Sequence, residues 1–317
     1  MRSGRALLLA LLLLPTAAFA QPSQKPMRII VPFAPGASAD GIARAIANGL
    51  GERMGKTVVV ENSVGAGGSL GLIAVAKSPP DGDTLGVGAT GALLINPHLP
   101  NSTAPDLLRE LAPVAKLIEV GVLVVAHPST GPKSIRDLVE QAKARPDGVS
   151  YGSTGTFTGQ HITMELLKKA TGANLIHIPY RGSAPAVVDL IAGQIPVAAV
   201  DITSAYPHVT TGRLRALGMG EVKRSAAAPE IPTIAEEGVP GFGRAGGFIG
   251  LFAPAGTPPA LVKKISAEVA EILKSPAVVA NVRTLTATVA YEDDETFAKF
   301  LAGESDKWKI VLKDLFQ

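Results

Sequence analysis

Met27–Asp40, MRIIVPFAPGASAD, runs from a strand through a turn into a helix. The segment Met27–Phe33 is, apart from Arg28, an apolar run of strand length, as in a sheet covered on both faces. Pro35-Gly36-Ala37-Ser38 supplies the turn chemistry that follows it. Beyond the turn, Ile42, Ile46 and Leu50 recur at i, i+4 and i+8, one face of a helix. Ser38 or Asp40 can cap its first turn, and Gly51 or Gly55 can end it. Outward from there, Thr57–Glu61 reads as a strand, Ser69–Lys77 as a helix and Thr84–Gly88 as a strand. This β-α-β-α-β order favours an α/β fold with a parallel sheet.

The pattern restarts after Gly121. Strands are expected at Val122–Ala126, Val149–Tyr151, Asn174–Ile178, Val197–Val200 and Leu214–Gly218. Helices are expected between them at Lys133–Ala144, Thr158–Thr171 and Pro185–Ala192, the first with Ile135, Leu138 and Ala142 inward. A Pro- and Gly-rich stretch from Ala228 to Gly247 precedes a strand at Ile249–Ala253, and two or three helices follow from Pro259. Two βα sets with a late strand-and-helix return predict two lobes crossed by the chain. Residues 21–121 and 245–317 form one, and residues 122–244 the other. Such lobes hold a ligand between them, outside the carboxyl ends of the strands.

The first twenty residues carry a different message. Arg2 and Arg5 precede an apolar run, Ala6–Leu14, and Ala18-Phe19-Ala20 fits a small-x-small cleavage site. A leader removed after Ala20 predicts export, with the bacterial periplasm as the compartment, and no later run is long enough to span a bilayer. Loss of Arg2 and Arg5 leaves 28 basic against 27 acidic residues, so the charge falls to about +1. No Lys/Arg cluster marks a nucleic-acid surface. The absence of cysteine excludes disulfide scaffolds, thiolate metal sites and thiol nucleophiles, and five histidines leave little for any other transition-metal site. Neither a cofactor nor a metal is expected. With 46% apolar and 18% charged residues the chain is not disordered.

Three loops invite a ligand. Phe33, Ala34, Ala37, Ser38 and Asp40 lie where a strand meets a helix whose N–H groups can face an anion, and the same residues also suit an ordinary βα turn. Gly65-Ala66-Gly67-Gly68-Ser69-Leu70-Gly71 fails the dinucleotide pattern at Leu70 and lacks the Walker lysine, leaving a small-anion loop or a structural turn. Tyr151–His161 gathers Ser153, Thr154, Gly155 and Thr158 at a helix start, either a carboxylate cradle or an N-cap hydroxyl cluster. Tyr151 replaces the first glycine of a nucleophile elbow, which argues against Ser153 as a nucleophile. His161 reads as a helix N-terminal residue with one hydrogen bond, and His177 as core or lobe contact. Arg181 can clamp a carboxylate or sit on the surface. Asp201, ending a strand, can hold an ammonium, a hydroxyl or a water, or cap the next helix. An exported hydrolase or transferase using Ser153, His161 and Asp201 is the alternative, and it requires Ser153 and His161 within hydrogen-bond reach.

Motifs in order along the mature chain carry a resemblance. They are Ile30–Gly36, Val60-Glu61-Asn62 with Gly65–Gly68, Pro80-Asp81-Gly82, Tyr151-Gly152-Ser153, His177–Gly182, Pro232–Glu236 and Ala253–Pro258. Together they resemble the substrate-binding proteins of the tripartite tricarboxylate transporter family, also known as the Bug proteins. The resemblance implies a two-lobed type II periplasmic-binding-protein fold that closes on a small carboxylate: a di- or tricarboxylate, an acidic amino acid or an aromatic acid. It implies a monomeric receptor, not an enzyme, that delivers its ligand to membrane transporter subunits or feeds a sensor kinase. It places the ligand at the loops Phe33–Asp40 and Ser153–Thr158 and beside Thr90 and Asp201. Charge-assisted hydrogen bonds contribute roughly 1.5–3 kcal/mol each. Four to six donors therefore reach the roughly 8 kcal/mol of a micromolar ligand without a buried cation. Two departures stand out: Ala37 in place of a second glycine, and Gly246-Gly247-Phe248 where an aromatic commonly precedes the strand. The second predicts an enlarged cleft. Trp308 is expected to lie away from it.

Overall fold

A computed structural model describes residues 25–243 and 247–316. The leader and Gly246 lie outside the described residues. In chain order the elements are β1 (Met27–Val31), α1 (Ser38–Met54), β2 (Val58–Asn62), α2 (Ser69–Ala76), β3 (Thr84–Ala89), α3 (Leu107–Glu110) and β4 (Leu111–Val120). Then come β5 (Val122–Ala126), α4 (Ile135–Ala144), β6 (Val149–Ser153), α5 (Gly159–Thr171), β7 (Leu175–Pro179), α6 (Ser183–Ile191), β8 (Val197–Asp201), α7 (Ile202–Thr210) and β9 (Arg215–Met219). The chain ends with β10 (Gly247–Pro254), α8 (Pro259–Lys274), α9 (Pro276–Thr284), β11 (Thr288–Glu292) and α10 (Asp294–Phe316).

Two sheets organise these elements. One has the order β11-β4-β10-β3-β1-β2 and the other β7-β6-β8-β5-β9. Within each, three strands are parallel, β2-β1-β3 and β7-β6-β8, as βα connections demand. The remaining pairings, of β10 with β3 and β4, β11 with β4, and β5 with β8 and β9, are antiparallel. Both β4 and β11 are strands the local pattern did not reveal. Lys116 interrupts the apolar run of β4, and its ammonium is held by Glu119 and Glu292.

Helix α1 shows how sequence builds the core. Ile42, Ile46 and Leu50 are wholly buried. Gly55, left-handed at φ 64°, ends the helix by donating its N–H to the Gly51 carbonyl. A Cβ at Gly49 would stand 2.6 Å from Ile272, so the glycine lets α1 and α8 approach closely. The expected side-chain cap is absent, however. Ala37 is the N-cap, and Ser38 and Asp40 are engaged elsewhere.

The chain passes between the sheets at one residue. β4 ends at Val120 and β5 begins at Val122. The intervening Gly121 carbonyl accepts the Ile202 N–H, and the Val122 N–H is held by Glu221 at 2.7 Å. The return falls between β9 and β10. Among the described residues no helix is long and apolar enough to cross a membrane.

Candidate functional site

The loops following β1 and β6 face one another where α1 and α5 begin. Between them lies a cavity with about 50 Å³ open to the centres of water molecules. Ala37 and Ala39 bring the α1 terminus to it, and Thr158, Gly159 and Gln160 bring the α5 terminus. The first N–H groups of a helix have no partner within it and favour negative charge. Phe33, Thr90, Thr154, Ser183 and Asp201 add to the wall. The Thr90 hydroxyl is buried and has no hydrogen-bond partner among the described residues.

Small residues let the two sides close. A Cβ at Gly67 would come within 2.7 Å of the Thr156 carbonyl oxygen, and one at Gly91 within 3.0 Å of the Phe157 carbonyl oxygen and Thr158 Cα. Polar bonds also cross. Ser38 donates its hydroxyl to Asp201 Oδ2 at 2.7 Å, and the Ala34 N–H donates to the Arg181 carbonyl at 3.2 Å. Asp201 is buried, and its other oxygen accepts from Gln160 Nε2 at 2.5 Å. Burial pushes its carboxyl pKa up, against the hydrogen bonds from Ser38 and Gln160 that lower it. It stands at the N-cap of α7 without capping that helix.

Of the residues expected from sequence, Phe33, Ala37, Thr90, Thr154, Thr158 and Asp201 line the cavity. Ala34, Ser38, Asp40, Ser153 and Gly155 are not part of the lining. Asp40 accepts from Arg44, Asn62 and the Gly36 N–H. Burial raises its pKa, but these bonds outweigh it and hold the carboxyl below the ordinary value. Ser153 is fully buried, 2.6 Å from His177 Nε2 and accepting the Gly155 N–H at 3.1 Å. Thr158 caps α5, and its hydroxyl donates to the Gly155 carbonyl at 2.8 Å. Arg181 is exposed, with its guanidinium outside the cavity wall.

The hydrolase arrangement does not assemble. Ser153 meets His177 rather than His161, whose Nδ1 instead accepts the Phe157 N–H at 3.0 Å. The hydrogen bonds of Asp201 go to Ser38, Gln160 and Ser183, not to either histidine. The two imidazoles stack 3.9 Å apart, and burial pushes both pKa values down to about 4.

One further expectation is corrected. Trp308 lines the cavity, because α10 folds back from the far end of the chain to reach it. Phe248, of the second departure, lies in the cavity wall. The Phe248 ring closes it and packs edge-on against Phe297 and Phe300. Gln160 and Ser183 were missed as well. Gln160 was within sight in the segment ending at His161, a glycine-rich helix start where an amide can reach a cavity. Trp308 had no local signal.

The family model described as "Tripartite tricarboxylate transporter family receptor" matches residues 42–316. The chain belongs to this family. It is a family of solute-binding receptors, not of enzymes. The Bordetella pertussis protein BugT is 35% identical over 291 residues, covering 92% of this chain and 89% of BugT. The periplasmic binding protein BugD shares the two-lobed fold at a TM-score of 0.85 and 30% identity, over 92% of this chain and 97% of BugD. The R. palustris protein Rpa4515, solved with adipate, superposes at 0.86 with 29% identity, over 93% and 98% of the two chains.

Proposed function

We propose that this receptor captures a small organic carboxylate in the cavity between its two sheets and delivers it to a tripartite tricarboxylate-type membrane transporter. One observation carries this: the starts of α1 and α5, from opposite sides, converge on a cavity where the Thr90 hydroxyl is buried without a partner. The adipate held by Rpa4515 supports the same ligand chemistry. Phe33, Ala37, Thr90, Thr154, Thr158 and Asp201 contact the ligand directly, while Ala34, Ser38, Asp40, Ser153 and Gly155 hold those contacts in place. The lobes are residues 21–121 with 245–317, and residues 122–244. The protein acts as a periplasmic monomer after cleavage behind Ala20. Binding favours the closed form, in which Ser38 and Asp201 meet.

A thermal-shift screen of ligand-stripped protein against organic acids, with sugars and neutral amino acids as controls, tests this. A ligand at 100 times its Kd adds roughly 2.7 kcal/mol, a rise in Tm of several degrees at most. A saturable shift with carboxylates alone is expected, and a response to sugars alone refutes the carboxylate reading. A sensor kinase in place of the transporter would use the same cleft. Deleting the transporter genes should abolish uptake of the bound acid if the transporter reading holds.

A further inference from the structure

The loop that leaves β6 is held at both ends by a pair of imidazoles that lie outside the cavity. At its start, Ser153 Oγ lies 2.6 Å from His177 Nε2 on β7. At its far end, the Phe157 N–H donates to Nδ1 of His161, on the first turn of α5, at 3.0 Å. The two rings stack with centroids 3.9 Å apart. Thr154 lies between these anchors and Thr158 follows directly. Both threonines line the cavity, and neither imidazole does.

Phe157 is the strained point of this loop. Its φ of 59° is left-handed, a conformation that residues other than glycine adopt at a cost. The bond to His161 offsets that cost, and the Phe157 ring meets the imidazole edge-on at 5.6 Å. The conformation has two results at the cleft. It turns the Phe157 carbonyl oxygen toward Gly91, where a Cβ would stand 3.0 Å away. It also places Thr158 as the cap of α5, with its hydroxyl on the Gly155 carbonyl.

One tautomer suits this arrangement. A ring nitrogen that accepts a bond carries no proton, so the hydrogen of the neutral His161 is on Nε2. Nε2 faces Glu165 Oε1 at 3.7 Å, an oxygen that also accepts from Tyr151 and Lys168. Burial keeps both imidazoles uncharged at neutral pH.

We propose that His161, backed by His177, is a positioning residue for ligand binding: its Nδ1 holds Phe157 in the turn that sets Thr154 and Thr158 against the cavity. This rests on the carboxylate-receptor reading and adds to it a residue that acts through the loop without touching the ligand.

The test compares the full mature chain with its His161→Asn and His161→Leu variants. Asparagine places an amide oxygen close to where Nδ1 stands and can accept the Phe157 N–H, whereas leucine fills the space and accepts nothing. Each protein, stripped of ligand, is titrated calorimetrically with adipate, succinate and benzoate, and its ligand-free Tm is followed by circular dichroism. For every acid that the parent binds, H161L should be weaker by roughly tenfold or more, and H161N should recover most of that loss. A folded H161L protein with the parent's affinity, whatever its Tm, overturns the proposal and leaves the receptor reading intact. So does a folded H161N protein as weak as H161L. Should H161L fail to fold, H161N decides alone: an affinity within about threefold of the parent supports the proposal, and a loss of about tenfold overturns it. If the parent binds none of these acids, the carboxylate reading fails and the proposal with it.

Discussion

Replacing Ser38 by alanine removes the bond that ties the first turn of α1 to the end of β8. Ser38 is fully buried, and its hydroxyl reaches Asp201 Oδ2 at 2.7 Å. A hydrogen bond to a charged group contributes about 1.5–3 kcal/mol. At 1.4 kcal/mol per decade, that corresponds to a roughly ten- to hundredfold change in an equilibrium constant. Because Ser38 opens the helix that follows β1 and Asp201 ends β8, strands of different sheets, the loss falls on the form in which the lobes meet. The apparent Kd is the intrinsic value divided by the closed fraction, so with the open form dominant in the absence of ligand it should rise by that factor. The Gln160 bond to Asp201 and the Ser183 bond to its N–H lie on the other side and survive the change. The assay is calorimetric titration with whichever acid gives the largest thermal shift, on S38A, D201A and the double variant. Once Asp201 is gone, S38A should add little, since the two residues act as a unit. An S38A protein with native circular dichroism and a Kd within about twofold of the parent would refute the latch.

Other outcomes follow from the same geometry. Gly91→Ala places a methyl 3.0 Å from the Phe157 carbonyl oxygen across the cleft, without the strain of a left-handed φ. It should weaken binding by about tenfold or more while shifting the ligand-free Tm little, and comparing the two readouts checks this. Trp308, the one tryptophan of the chain, lines the cavity, so its emission should change saturably with ligand at the calorimetric Kd. A silent Trp308 with measurable heat of binding would place the ligand elsewhere. His161 and His177 are held neutral, with pKa values lowered to about 4 from 6.5, chiefly by burial. In that window the unfolded chain takes up protons that the fold does not. Their contribution to stability is therefore present above pH 6.5 and is lost as the pH falls toward about 4. Urea titrations across this range should show His177→Gln flattening the decline by about one proton, or ~1.4 kcal/mol per pH unit.

Local pattern and tertiary structure divided this protein unevenly. Met27–Phe33 could be read as a strand because a buried parallel strand is apolar along nearly its whole length, here interrupted only by Arg28. The burial of Ile42, Ile46 and Leu50 follows from helical periodicity alone. Glycine at the end of α1 and threonine at the start of α5 are equally local signals, each satisfying backbone groups within one turn. The loops that face the cavity were legible for the same reason, since a helix start exposes N–H groups wherever it occurs.

What the local pattern lacked was partnership. Ser153 paired with His177 rather than His161, because β6 and β7 lie side by side and set Ser153 opposite Pro179, within reach of that strand's imidazole. Trp308 reached the cavity only because α10 packs against β4 and the segment Gly91–Ile95, far away in the chain. Ser38 met Asp201 across 163 residues. The sequence by itself determined most of the strands and helices, β4, β11 and α7 aside, and their free N-termini, since backbone hydrogen bonding and hydrophobic period act over a few residues. Only the tertiary structure decided which termini face one another, which acid is buried between them and which rings close the cleft. Those contacts are made between residues whose spacing in the chain carries no local physical signal.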